Sequence, residues 1–263
     1  MAILKQISPA RAVGLVLLVL ITCVAIFAPW IAPYNPNATG VSVLASPSAE
    51  YLLGTDSLGR DVLSRIIYGT RISLQVGAAA AIVAVLIGAP IGLIAGYFRG
   101  RVDLFLVQII DLFIALPGLV LALIITAMLG ATVENLSITL GFVTAPTVAR
   151  LIRGQVFVVR EALFVEAARA TGASSAWIIR YHVLPNVARV LWAQLAINVS
   201  YAIFTSASLS FLGLGVPPPA PDWGGMVREG ATFLPILPLL SLGPGGAVAL
   251  TVLTFHLVGS SRK

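Results

Sequence analysis

Five long apolar stretches without a lysine or arginine dominate this chain, and about 20 consecutive apolar residues suffice for a helix to cross a lipid bilayer. Ala12–Ala32, Ile72–Phe98, Val190–Pro221 and Gly230–Ser261 carry no charge at all. Leu104–Ala149 holds only Asp111 and Glu134, and is long enough for two helices joined by a turn around Ala131–Asn135. Six spans are therefore expected. The fourth is the weakest, resting on Asn135–Ala149 between Glu134 and Arg150. A soluble domain of 263 residues would instead alternate apolar and polar positions at helical or strand period. Here 59% of residues are hydrophobic and 10% charged, against about a quarter charged in soluble domains. A transmembrane β-barrel would alternate apolar with polar along each strand, whereas these runs are apolar all round. The expectation is an all-α membrane protein.

Gly77, Ala78, Ala81, Gly88, Gly92 and Gly96 give the second span a small-residue surface suited to close helix approach. The single cysteine, Cys23, lies inside the first span, so no disulfide framework arises. The N-terminal run is too long for a signal-peptide core. Leu20-Ile21-Thr22-Cys23 resembles a lipoprotein cleavage box, but Thr22 is large for its position, and a retained helix is expected.

Lys and Arg near span ends prefer the cytoplasm. With the N-terminus inside and six spans, Lys5, Arg11, Arg99, Arg101, Arg150, Arg153, Arg160, Arg169, Arg180, Arg189, Arg262 and Lys263 all fall inside. Only Arg60, Arg65, Arg71 and Arg228 fall outside, and six acidic residues join them there. The asymmetry predicts N-in and C-in. It also accounts for the sequence pI near 10.0 without any nucleic-acid partner.

Several chemistries are absent. A phosphate-binding P-loop needs a lysine after its glycine-rich turn, and the only lysines are Lys5 and Lys263. His182 and His256 have no carboxylate at helical spacing, so neither a zinc site nor a Ser–His–Asp site is supported. An intramembrane protease built from Ser208, Ser210 and His256 lacks a G-x-S-x-G context. No cofactor or metal is expected.

Two hydrophilic segments stand out: an external one, Tyr34–Arg71, and a cytoplasmic one, Arg150–Arg189. In the second, Phe157, Glu161, Phe164, Ala168 and Thr171 recur at helical spacing. Gly172 breaks that helix, Ser174 or Ser175 caps a second one through Trp177, Ile178 and Tyr181, and Pro185 is expected to stop it. Read from physics alone, this cationic helix–turn–helix also suits an anionic lipid surface.

Glu166-Ala167-Ala168, then Gly172, Ala173 and Ser174, then Val183-Leu184-Pro185, resemble the EAA loop of ABC importer permeases. Gly54-Thr55-Asp56-Ser57-Leu58-Gly59-Arg60-Asp61 resembles an external signature of the C-type dipeptide, oligopeptide and nickel permeases. Ser208–Val216, followed by Pro217-Pro218 and Asp222-Trp223-Gly224, is similar to a third block of the same family. His182 stands where the wider family has Ile and matches the peptide branch. The end departs: Gly259 runs into Ser260-Ser261-Arg262-Lys263 where family members usually continue with an acidic, Arg-containing tail, which puts a tail contact with the ATPase in doubt.

The resemblance implies a type I ABC importer permease core over residues 72–259, preceded by an N-terminal helix and external segment over 1–71. The cytoplasmic coupling loop lies at 150–189. It implies alternating access in a bacterial or archaeal cell membrane, with a homologous second permease, two ABC ATPase subunits and an extracellular or periplasmic solute-binding protein. Cargo would be di- or oligopeptides, with nickel chelates or glutathione as alternatives in the same branch. The loop would seat on the ATPase, with Ala167 and Ala168 leaving room for it. An ATP-independent secondary carrier is the contrasting class, but no duplicated broken-helix pattern is seen.

Four residues are candidates for the path: Asp111, Pro117, Asn198 and Ser206. Asp111 is an intramembrane carboxylate, expected to line the path or pair with a charge. Pro117 is expected to kink its helix. Asn198 and Ser206, with Ser200 and Thr205, either line the path or bond another helix. Gly54–Asp61 reads as a turn feeding a capped helix, or as a binding-protein contact. Trp223 reads as an interfacial anchor.

Overall fold

Ten α-helices, and no strand, follow one another through the described residues 8–260 of this computed structural model. Lys5, Arg262 and Lys263, assigned above to the inner side, lie outside them. Helix α1 spans Pro9–Ile31, opened by the Ser8 hydroxyl accepting from Arg11 N at 3.2 Å with Pro9 in the first turn. Helix α2 spans Val62–Phe98. Its 37 residues reach about 55 Å, nearly twice the roughly 30 Å of the hydrocarbon core. Its first turns therefore stand outside the membrane, and the helix runs unbroken through residues 71 and 72.

Helix α3 (Gly100–Ala115) and helix α4 (Gly118–Leu129) meet at an 86° bend. The kink expected at Pro117 is thus a full break. Pro117 has no N–H to donate and its ring excludes the preceding helical turn. Helix α5 spans Val133–Arg160 and carries the fourth crossing well past Ala149. Two short helices follow, α6 (Leu163–Ala170) and α7 (Ser175–Ile178). A π-helical turn over Ile179–Val183 then leads into α8 (Leu184–Phe211). An external α9 (Trp223–Ala231) precedes the last span, α10 (Leu239–Gly259).

The α2–α5 pair is the axis of the fold. A Cβ on Gly88 would lie 2.4 Å from the Ala145 carbonyl, on Gly92 2.4 Å from the Ala149 carbonyl, and on Gly96 2.7 Å from Val156 Cβ. Residue numbers rise together along both helices, so α2 and α5 run parallel. A parallel pair requires a full return crossing between them, and the bent α3–α4 pair supplies it. Five helices long enough to span plus this pair make six crossings. Gly14 of α1 packs against Leu257 and Val258 of α10, which brings the first and last spans together with opposite directions.

Pro185 does not stop the second cytoplasmic helix, contrary to the sequence expectation. The widened turn places it in the first turn of α8, where its missing N–H costs nothing. Leu184 N bonds back five residues to the Ile179 carbonyl, and Asn186 Nδ2 reaches the His182 carbonyl at 2.6 Å. Helix α7, the π-helical turn and the fifth span are therefore one continuous rod.

Candidate functional site

The cytoplasmic loop is built from a self-terminating helix. At the end of α6, Ala173 N bonds the Ala168 carbonyl at 3.0 Å and Gly172 N bonds the Arg169 carbonyl at 2.9 Å. This paired closure needs a left-handed residue, and Gly172 has φ +82°. Ser174 then caps α7, accepting from Trp177 N at 3.3 Å. Val165, Ala168, Ile178 and Val183 form the loop's own core against Tyr97 and Val156 at the inner ends of α2 and α5. Ala168 is therefore a packing residue and not, as its motif suggested, room for a partner: it faces inward with Val165 while Glu166 and Ala167 face out.

The outward side carries large apolar side chains among the exposed Glu166, Arg169 and Arg180. Leu163 is 83% exposed, Trp177 45% and Tyr181 55%. Phe164 and Trp177 flank His182, whose ring lies 5.0 Å from that of Trp177 and 5.7 Å from that of Phe164, and Tyr181 packs on Trp177 at 5.2 Å. The sequence reading used Trp177 and Tyr181 only as helix formers. Their signal was large aromatics on a helix already assigned to water.

Ion pairs hold α3 to α5 beside this loop. Arg153 grips Asp103 with two bonds of 2.6 and 2.8 Å, Arg99 meets Glu161 at 3.1 Å, and Arg150 contacts Asp111. Asp111 thus has an intramolecular cation, and about half of each side chain is exposed.

A cavity of about 270 Å³ lies beside the Pro117 break, walled largely by apolar side chains including Phe113, Ile114, Val143 and Ile197, with a few polar groups among them. The break borders it through Leu116 and Gly118, while α5 contributes Thr144 and α8 contributes Gln194, Asn198 and Tyr201. Of the four path candidates, only Asn198 is in this cavity's wall; Pro117 is flanked by the lining residues Leu116 and Gly118, and Asp111 and Ser206 lie outside the walls. Ser200 instead donates to the Val252 carbonyl of α10 at 2.9 Å, an interhelical tie.

The external signature folds in on itself. Gly54 and Gly59 take φ of +79° and +74°, Thr55 bridges to Asp61, and Asp61 caps α2 through Ser64 N at 2.7 Å. The Asp56 carboxylate lies 2.6 Å from Arg60 Nε and 3.5 Å from Arg65 Nε, with all three side chains buried. Glu229 of α9 closes the cluster, 3.7 Å from Arg60 and bonded to Ser57. Trp223 is not an interfacial anchor. It is 2% exposed and donates to the Ile66 carbonyl at 2.9 Å, because Gly69 leaves room for its indole. Burial raises the Asp222 carboxyl above its usual range, against the N–H bond from Gly225.

Residues 88–261 match the family described as binding-protein-dependent transport system inner membrane component, and residues 8–47 match the N-terminal TM domain of oligopeptide transport permease C. The chain belongs to the binding-protein-dependent transport system inner membrane component family. It is 39% identical to the glutathione transport system permease protein GsiD of Pectobacterium atrosepticum, over 97% of this chain and 85% of that protein. It is also 39% identical to the dipeptide transport system permease protein DppC of Alkalihalophilus pseudofirmus, over 95% of this chain and 83% of that protein. Its fold is shared with a chain of the MetNI methionine ABC transporter (TM-score 0.53, 17% identity, 71% of this chain and 96% of that one). As an inner-membrane transport component it is a multi-pass permease subunit. Membership in this family implies an ATPase and a substrate-binding protein as working partners.

Proposed function

We propose that this chain forms half of the translocation pathway of an ATP-driven importer of di- or oligopeptides. It pairs with a homologous second permease, two ATPase subunits dock beneath, and an external solute-binding protein delivers cargo by alternating access. ATP hydrolysis belongs to the separate subunits. The observation that carries this reading is the loop from Leu163 to Pro185. Its own core is complete, yet it holds Leu163, Phe164, Trp177 and Tyr181 toward solvent. Large apolar side chains held beyond the membrane suit a protein groove. Glu166, Ala167, Gly172 and Ser174 lie on the exposed side of the loop, with Leu184 and Pro185 at its return to the membrane. Gly54–Asp61 acts as the external clasp that holds α9 on α2. Peptide cargo is supported by relatives named for peptide and dipeptide transport. Glutathione, itself a modified tripeptide, is the second reading, supported by an equally similar relative named for it.

The test is ATP-dependent uptake by the reconstituted complex in proteoliposomes. Accumulation of labelled di- or oligopeptides is expected. Accumulation of glutathione alone would move the assignment to the second reading, and ATP-independent uptake would contradict both.

A further inference from the structure

The cavity at the Pro117 break is unusual for its depth. Asn198 lies about 20 Å from either end of α8, so the cavity is at the middle of the membrane. Polar groups there are expensive unless they are paired or serve a path. Gln194 Nε2 donates to Asn198 Oδ1 at 2.9 Å, while Asn198 is 3% exposed and its Nδ2 has no partner among the described residues. Thr144 donates its proton to the Leu140 carbonyl at 2.7 Å, which leaves its lone pairs free to accept. The Tyr201 hydroxyl sits over the break, 3.1 Å from where a Cβ on Gly118 would stand. Thr147 and Tyr201 mark the open side.

The walls carry hydrogen-bond donors and acceptors but no Asp, Glu, Lys, Arg or His. A broken helix at this depth is tolerated where its freed backbone groups are buried in protein or line a wet cavity. Such a surface cannot select a charged side chain. It matches a neutral group that both donates and accepts, and the peptide bond is such a group.

We infer that this cavity is a main-chain subsite of the pathway, where Asn198, Gln194, Thr144 and Tyr201 hydrogen-bond the amides of a passing peptide. The inference rests on the peptide-importer reading and deepens it: cargo is read by backbone and not by side chain. The enclosed, unpartnered Asn198 Nδ2 supplies a donor to the peptide carbonyl once cargo parts this wall, and Thr144 accepts from the peptide N–H.

The test is single-turnover uptake from binding protein preloaded with either a peptide or its depsipeptide analogue, in which one amide is replaced by an ester. Preloading removes the binding protein's own preference. Wild type should move the amide faster than the ester. Asn198→Leu should slow the amide about tenfold, the scale of one or two lost hydrogen bonds, and bring the two cargoes to equal rates. Tyr201→Phe, which removes one hydroxyl and keeps the ring, should narrow the same ratio by a smaller factor and covers the case in which Asn198→Leu does not assemble. An unchanged ratio in the variants that assemble, whether or not rates fall, would overturn the subsite. A wild-type complex that moves neither cargo would refute the peptide reading itself, and this inference with it.

Discussion

The two ends of this bundle carry motifs of equal prominence in the sequence, yet they solve opposite problems. At the external end, Asp56, Arg60, Arg65 and Glu229 satisfy one another, and Trp223 is swallowed by α2. Of Gly54–Asp61, only Leu58 is exposed. At the cytoplasmic end, the loop from Leu163 to Pro185 closes its own backbone bonds through Gly172 and Ser174 but leaves its aromatics outside. A motif that satisfies itself is architecture. One that leaves its aromatics outside is where the proposed ATPase contact is placed.

Breaking the external clasp should have the largest effect on stability. Asp56→Ala leaves the buried Arg65 guanidinium without its carboxylate and Arg60 with only Glu229 at 3.7 Å, at about 3–5 kcal/mol. Thermal unfolding of the purified chain should show the loss, and an unchanged melting temperature would mean the clasp is not structural. Gly172→Val forces a β-branched residue into a left-handed turn, at roughly 1–3 kcal/mol. ATPase co-purification should fall more than stability does; the reverse order would make this turn architecture as well. Arg99→Ala removes an ion pair half-exposed on both sides, worth up to about 1 kcal/mol. A larger loss would place that pair in the same class as the external cluster.

The smallest effect is a pH dependence at the external end. Because burial raises the Asp222 carboxyl, the folded chain holds that proton more tightly than the unfolded chain does. Stability is then full below the unfolded value and declines as pH rises through the folded one. Asp222→Asn keeps the cap to Gly225 N and should flatten that decline in melting curves taken across pH. A steeper decline would mean that the charge itself holds α9.

What was legible in the sequence follows from how local each determinant is. Span existence depends on composition over about 20 residues, so the apolar runs sufficed. Gly172 was legible because a left-handed turn asks for that residue type. Pro117 announced a bend, but its 86° size is not encoded in the local residues alone. Pro185 misled because a stop signal assumes an ordinary α turn before it, and the turn over Ile179–Val183 is wider. Trp223 misled because its burial is decided by Gly69, far away in sequence. Glu229 had no local signal, since its partners Ser57 and Arg60 lie on another segment. The cavity was half visible: Asn198 stood out singly, but only the fold brings it beside Leu116 and Gly118 at the break.

The central claim is that the exposed aromatic face of the cytoplasmic loop is the seat of a separate ATPase. The most direct measurement is co-purification of the ATPase with a Trp177→Ala, Tyr181→Ala double variant, with the melting temperature of the permease chain followed in parallel. The account predicts that association is lost, by about tenfold or more in affinity as for central aromatic contacts, while the permease melts as wild type does. Wild-type co-purification and wild-type uptake would contradict it, and would leave this face to the lipid surface.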